Sequence, residues 1–220
     1  KGSFRCNDER LNRIWQTGAY TIHLNMQDYV WDGIKRDRLV WIGDMHPEVM
    51  TIGAVFGETE VVPASLDLVR DITPLPEWMN GISAYSMWWV LIHHNWYLQH
   101  GDLTYLKQQK KYLKGLLGQL MAHIGPDNRE TLGGMRFLDW PTYSNGAAVH
   151  AGLHGLLILT LQAGAELGAA LKDSKLQGKC EEAVARLRKY VPEHGNNKQA
   201  AALMALAGCE AICEPAFWAG

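Results

Sequence analysis

Three aspartates within residues 31–44 (WDGIKRDRLVWIGD) are the side chains of this chain best placed to do chemistry. Asp32, Asp37 and Asp44 stand five and seven residues apart, Arg36 and Arg38 flank the middle one, and Trp31 and Trp41 sit among them. A solvated loop would not hold two tryptophans, and a core segment would not hold so many charges. A pocket for a polar, flat-faced ligand wants both, and sugars fit that description best. An indole gives an apolar surface for the C–H face of the ring, while carboxylates and guanidinium groups bind its hydroxyls. Hydrolysis of a glycosidic bond needs one carboxylic acid to protonate the leaving oxygen and one carboxylate to activate water or attack. The plainer reading of the same residues is a loop of salt bridges, Asp32 with Arg36 and Asp37 with Arg38, ending in Asp44 as a helix N-cap.

The elements around this segment read as helices. Asn7 or Asp8 can cap a first helix in which Leu11, Ile14, Trp15, Gly18, Ile22 and Met26 recur at helical spacing, to about Gln27. A second helix covers about 46–56, with Pro47 suited to its first turn, and a third covers about 59–71. Ser83 is the expected cap of a fourth helix, apolar on nearly all sides, that ends at Gly101. Asp102 caps the fifth, a greasy sixth spans about 146–171, Asp173 or Ser174 opens the seventh, and the eighth covers about 198–212. The connections alternate between long and short. In a series of antiparallel hairpins, alternate connections lie on opposite ends, so the long loops share one face with their Trp, Asp, Glu and Arg residues. The expected architecture is all-α: an α/α toroid with the alternate greasy helices inside and an active site at one mouth. An α-solenoid would show a fixed repeat period, and none is visible.

Composition narrows the function. The chain has 220 residues, is 47% hydrophobic and 20% charged, and carries a net charge of −2 with no basic tract, so nucleic acid is not an expected partner. No run reaches the length of a membrane span, and neither a membrane nor a signal peptide is indicated. Cys6, Cys180, Cys209 and Cys213 form no CxxC pair and read as free thiols. His150 and His154 have a metal-ligand spacing but no third ligand, so no metal site is expected. His93 and His94 read as core or rim hydrogen-bonders. The chain begins at Lys1 and ends on EPAFWAG, which reads as one domain, 1–220, of a longer polypeptide truncated at both ends.

The stretch DGIKRDRLVWIGD also resembles the signature of bacterial α-L-rhamnosidases, glycoside hydrolase family 78. That signature runs Asp, Cys, Pro, any, Arg, Glu, Arg, any, Gly, Trp, any, Gly, Asp. Asp32, Arg36, Arg38, Trp41, Gly43 and Asp44 match it without gaps. The N-terminal helix FRCNDERLNRIWQTGAYTIHLNMQD and, more loosely, FLDWPT at 137–142 extend the likeness over most of the chain. It implies an (α/α)6 barrel catalytic domain and inverting hydrolysis of terminal α-L-rhamnosyl or related residues, with no cofactor. Asp37 takes the place of the general acid, with Asp32, Arg36, Trp41 and Asp44 as sugar-binding residues. Trp78, Asp139 and Trp140, placed on the same rim by the loop alternation, are further candidates. Two departures stand out: Asp37 is one methylene shorter than the family's Glu, and Gly33, Ile34 and Val40 replace Cys, Pro and Gly. The family's general base lies far beyond the acid, so it is expected outside this chain, which would then hold about half of the toroid and be inactive alone. The resemblance implies bacterial or plant polysaccharide breakdown and leaves the compartment open, a periplasmic or extracellular one included. The alternative is a carbohydrate-binding toroid that has lost catalysis; a helical interaction scaffold is a third reading.

Overall fold

A computed structural model describes residues 2–35 and 37–209. It contains eight α-helices among the described residues: α1 (Glu9–Asn25), α2 (Met45–Val55), α3 (Val61–Asp71), α4 (Ser83–His100), α5 (Leu103–Ala122), α6 (Gly146–Ala170), α7 (Ser174–Leu187) and α8 (Lys198–Leu206). Three isolated bridges are the extended pairings found there.

Local chemistry starts most of the helices. Asp8, Asp102, Asn145, Asp173 and Asn197 each accept a backbone N–H of the first turn of α1, α5, α6, α7 and α8, satisfying donors that the helix itself leaves unpaired. Ser83 does not cap α4. It lies inside the helix, fully buried, and Ile82 occupies the cap position without a side-chain bond. At the short connections the chain turns through left-handed backbone, with Gly101 at φ 67° and Lys172 at φ 53°. The eighth helix stops at Leu206, sooner than expected, because Gly208 takes φ 71°; the rest of that expectation, and Cys213, lie outside the described residues.

Helices α2, α4, α6 and α8 pack side by side in chain order, with α1, α5 and α7 against them. Trp89 ties α4 to α3 by donating its indole N–H to the Leu66 carbonyl at 3.1 Å. The greasy α6 is long and apolar enough to cross a bilayer by length and composition. Here it is the central helix, contacted by α4, α5, α7 and α8, and its Leu153, Leu156, Leu157, Ile158 and Leu161 are fully buried. Each such side chain contributes about 1.5–3 kcal/mol through burial. This is the all-α toroid arrangement that the loop lengths predict. The expectation for α1 holds only for its second half: Ile22 and Met26 pack on the core, whereas Leu11 and Ile14 are exposed.

The alternation of connections carries through. The α1–α2, α3–α4, α5–α6 and α7–α8 loops gather at one end, linked by Asn80 to Val40 and Ile42, Met135 to Gly81, and Asn145 to Gly195. The opposite end holds the short turns.

Candidate active site

The segment carrying the three aspartates is shaped by backbone pairing. The Asp32 N–H donates to the Leu39 carbonyl at 3.2 Å, and the Leu39 N–H returns a long bond of 3.4 Å to Asp32 Oδ1, closing a loop in which Arg38 adopts φ 50°. After the loop the chain enters a tight turn, in which the Asp44 and Met45 N–H groups donate to the Trp41 carbonyl at 2.9 and 3.1 Å. Val40 and Ile42 are buried, and Trp41 between them turns toward the mouth. Asn80 fixes that alternation from across the α3–α4 loop. Its amide accepts from the Ile42 N–H and donates to the Val40 carbonyl, both at 3.2 Å.

Gly43 has a specific reason to be glycine. A Cβ there would come within 2.2 Å of the Tyr85 ring. Its absence lets the tyrosine lie against the backbone, where its hydroxyl donates to Asp44 Oδ2 at 2.9 Å. Burial first, and then the Asp44 carboxylate, push the Tyr85 hydroxyl well above its ordinary pKa, so it stays a donor. Asp44 occupies the N-cap position of α2 but makes no capping bond; its side chain is turned to Tyr85 instead. The plain N-cap reading of Asp44 therefore fails. Asp37 Oδ2 accepts the Trp41 indole N–H at 3.3 Å, which orients the carboxyl beside the ring. Arg38 donates to the Ile34 carbonyl at 3.3 Å.

The other wall comes from the α5–α6 loop, which is pinned by a carboxylate with no exposed side-chain surface. Glu130 accepts from both terminal nitrogens of Arg136, from the Leu132 N–H at 2.9 Å, and pairs with His150 Nδ1 at 2.6 Å. Burial alone would raise its pKa; the bonds from His150, Arg136 and Leu132 outweigh that and bring it down to about 2. With this anchor, Met135 pairs with Gly81, and Phe137 packs edge-on to Tyr85 at 6.4 Å. Asp139 then caps the short turn 140–142, presenting Trp140 to solvent with 74% of its surface exposed.

Together these elements enclose a cleft of about 380 Å³ lined by Asp32, Asp37, Trp41, Asp44, Ile82, Tyr85, Met135, Phe137 and Trp140. Its volume falls within the range of small-molecule sites. Five of the residues singled out from the sequence meet here. Trp78 does not line it: its ring packs on His123, centroids 5.4 Å apart, and fills the space beside Gly134. Asp139 is also outside the lining; it caps the 140–142 turn and accepts a 3.3 Å bond from Gln199. Arg36 lies outside the described residues.

Sequence reasoning missed Tyr85, Phe137, Asn80 and Glu48. Glu48 stands one helical turn past Asp44, half-buried, with a long 3.4 Å bond from Asn25. Burial raises it to about 7 against that bond, with Asp44 and Asp32 adding to the rise. Its spacing of four from Asp44 was the available signal. The histidine pairs are committed to the structure: His93 is buried against Trp89 and Tyr105, His94 pairs with Glu166, and His154 bonds the Leu187 carbonyl.

Comparison with known proteins adds to this geometry. The family model of the bacterial alpha-L-rhamnosidase 6 hairpin glycosidase domain matches residues 1–202. The crystal structure of the GH78 family rhamnosidase of Bacillus sp. GL1 superposes with a TM-score of 0.77 at 23% identity, covering 94% of this chain and 25% of that one. The chain thus spans about a quarter of the length of that structure, and the likeness establishes the six-hairpin helical fold. No curated protein matches.

Proposed function

Because the chain belongs to the bacterial α-L-rhamnosidase six-hairpin glycosidase domain family, we propose that its mouth cleft is the acid side of a site hydrolysing terminal α-L-rhamnosyl, or related, residues with inversion. The observation that carries this reading is the convergence of Asp32, Asp37 and Asp44 with Trp41 and the exposed Trp140 in one cleft. Asp37 is the general acid: it protonates the glycosidic oxygen as the bond to the anomeric carbon breaks. The Trp41 indole N–H holds its carboxyl in place. Asp32 and Asp44 take ring hydroxyls, with Tyr85 fixing Asp44, and Arg36 binds a hydroxyl or steadies the carboxylates. Trp41 and Trp140 offer apolar faces to the sugar. The carboxylate that activates water on the opposite face of the ring comes from the polypeptide beyond residue 220, so residues 1–220 alone do not turn over.

A second reading, sugar binding without turnover, is favoured by one observation: Asp37 stands where the signature has the longer Glu. Proton NMR of the intact protein acting on an aryl α-L-rhamnoside separates the two. Hydrolysis with β-rhamnose appearing first supports the proposal, and α-rhamnose appearing first contradicts inversion. Rhamnose binding without release of the aryl alcohol supports the second reading.

A further inference from the structure

We propose that Trp140 and Tyr143 form a platform for the leaving-group sugar, which makes the substrate a rhamnose-capped oligosaccharide; this rests on the hydrolase reading above. A line of rings runs outward from the carboxylates. Tyr85, bonded to Asp44, meets Phe137 at 6.4 Å, Phe137 meets Trp140 at 5.1 Å, and Trp140 meets Tyr143 at 6.2 Å. Along it, exposure rises from 7% at Tyr85 and 6% at Phe137 to 74% at Trp140 and 56% at Tyr143. Trp140 lines the cleft together with the carboxylates, of which Asp37 and Asp44 are exposed and Asp32 is half-buried, and Tyr143 lies one ring further out. A glycan that leaves the cleft along its Trp140 wall passes over these two rings.

The outer rings are held, not merely exposed. The capping box of Asp139 and Thr142 fixes the turn that carries them, and the bonds of Arg136 and His150 to the buried Glu130 carboxylate fix the loop behind it. Large apolar rings held fixed in solvent beside a cleft mark a binding surface. Their geometry selects the occupant. The two rings are tilted 49° to each other, which gives no parallel slot for a planar aromatic group. Beside Trp140, Asp139 and the exposed Gln199 amide stand within 3.3 Å of each other and offer partners for hydroxyls. One apolar face next to acceptor and donor groups is what a pyranose ring needs.

The test compares the intact protein with its Tyr143→Ala variant on a rhamnose-capped disaccharide and on α-L-rhamnosyl fluoride, whose leaving group carries no ring. The platform predicts that the ratio of kcat/KM for the disaccharide to that for the fluoride falls about tenfold, through a raised disaccharide KM. An unchanged ratio overturns the platform, whether the rim is bare or covered by another segment of the polypeptide. If the wild-type protein turns over neither substrate, the hydrolase reading fails by itself. Tryptophan-fluorescence titration with the disaccharide then decides the platform: affinity lost in Tyr143→Ala supports it, and affinity independent of Tyr143 overturns it.

Discussion

Where α2 meets α3 and α4 meets α5, a depression of about 430 Å³ is lined by Glu58, Thr59, Glu60, Pro63, Trp96, Asp102 and Tyr105; at the other end, the mouth cleft measures about 380 Å³. Volume does not separate the two, and neither does the presence of carboxylates and aromatic rings. The difference lies in what those side chains are doing. At the closed end Asp102 caps α5, accepting the Tyr105 N–H at 2.9 Å. Trp96 is 3% exposed and packs at a tilt on His100, and the Tyr105 hydroxyl is spent on Asp67 and the Pro63 carbonyl. At the mouth Asp44 holds the same N-cap position relative to α2 yet forgoes the capping bond, and Trp140 stands in solvent. A depression whose cap and rings are committed to the fold, as this one's are, gives its exposed Glu58 and Glu60 no ring face to work with. One that keeps carboxylates and an indole face directed at solvent is equipped for a ligand.

The contrast can be broken by substitution. The largest stability effect is expected at the anchor of the mouth loop. Glu130→Ala removes the buried acceptor of Arg136, His150 and the Leu132 N–H and should cost about 1.5–3 kcal/mol in denaturant unfolding, water taking up part of the charge of Arg136, whose side chain is 37% exposed; a loss below about 1 kcal/mol would mean that the loop is held by other contacts. Glu130 titrates at about 2, below its ordinary value. Its contribution is therefore complete above the ordinary carboxylate range and fades as pH falls toward 2. Next in size is the pair of N-cap positions. Asp102→Ala should cost about 1 kcal/mol, and Asp44→Ala clearly less when both are compared in a Tyr85→Phe background that removes the hydroxyl bond to Asp44, because Asp102 alone of the two makes the capping bond. Equal losses would erase the distinction between the ends.

A pH-selective effect is expected at Glu48. Its folded carboxyl titrates at about 7 against an ordinary 4.5, so between those values the native state keeps a proton that the unfolded chain has lost. Stability from this group is present below pH 4.5 and is lost as pH rises through 7. Glu48→Gln should thus melt higher than wild type at pH 8 and converge with it in acid. A gap of the same size at both pH values would contradict the assignment.

Much of this contrast was legible in the residues. The helix starts at Asp8, Asp102 and Asp173 follow from local capping chemistry, and the alternation of long and short connections placed 31–44 and 137–142 at one mouth. Less legible was what depends on contacts far along the chain. Tyr85 reaches Asp44 across 41 residues and Asn80 reaches Val40 across 40, and neither leaves a mark on local periodicity. Trp78 shows the converse. It has the residue type and loop of a rim aromatic, but the glycine at 134 opens a space that its ring fills. Ser83 has the chemistry of a cap, yet it is drawn into the buried first turn of α4 because the inner helix begins one residue earlier than a cap there would allow.

The most direct test pairs Asp37→Asn with Asp102→Asn in the intact protein and measures turnover of an aryl α-L-rhamnoside. The account predicts that the first falls by about 10²–10⁴-fold, the usual contribution of a positioned acid, while the second stays close to wild type. Wild-type turnover in Asp37→Asn would contradict the assignment of the mouth cleft as the acid side of the site.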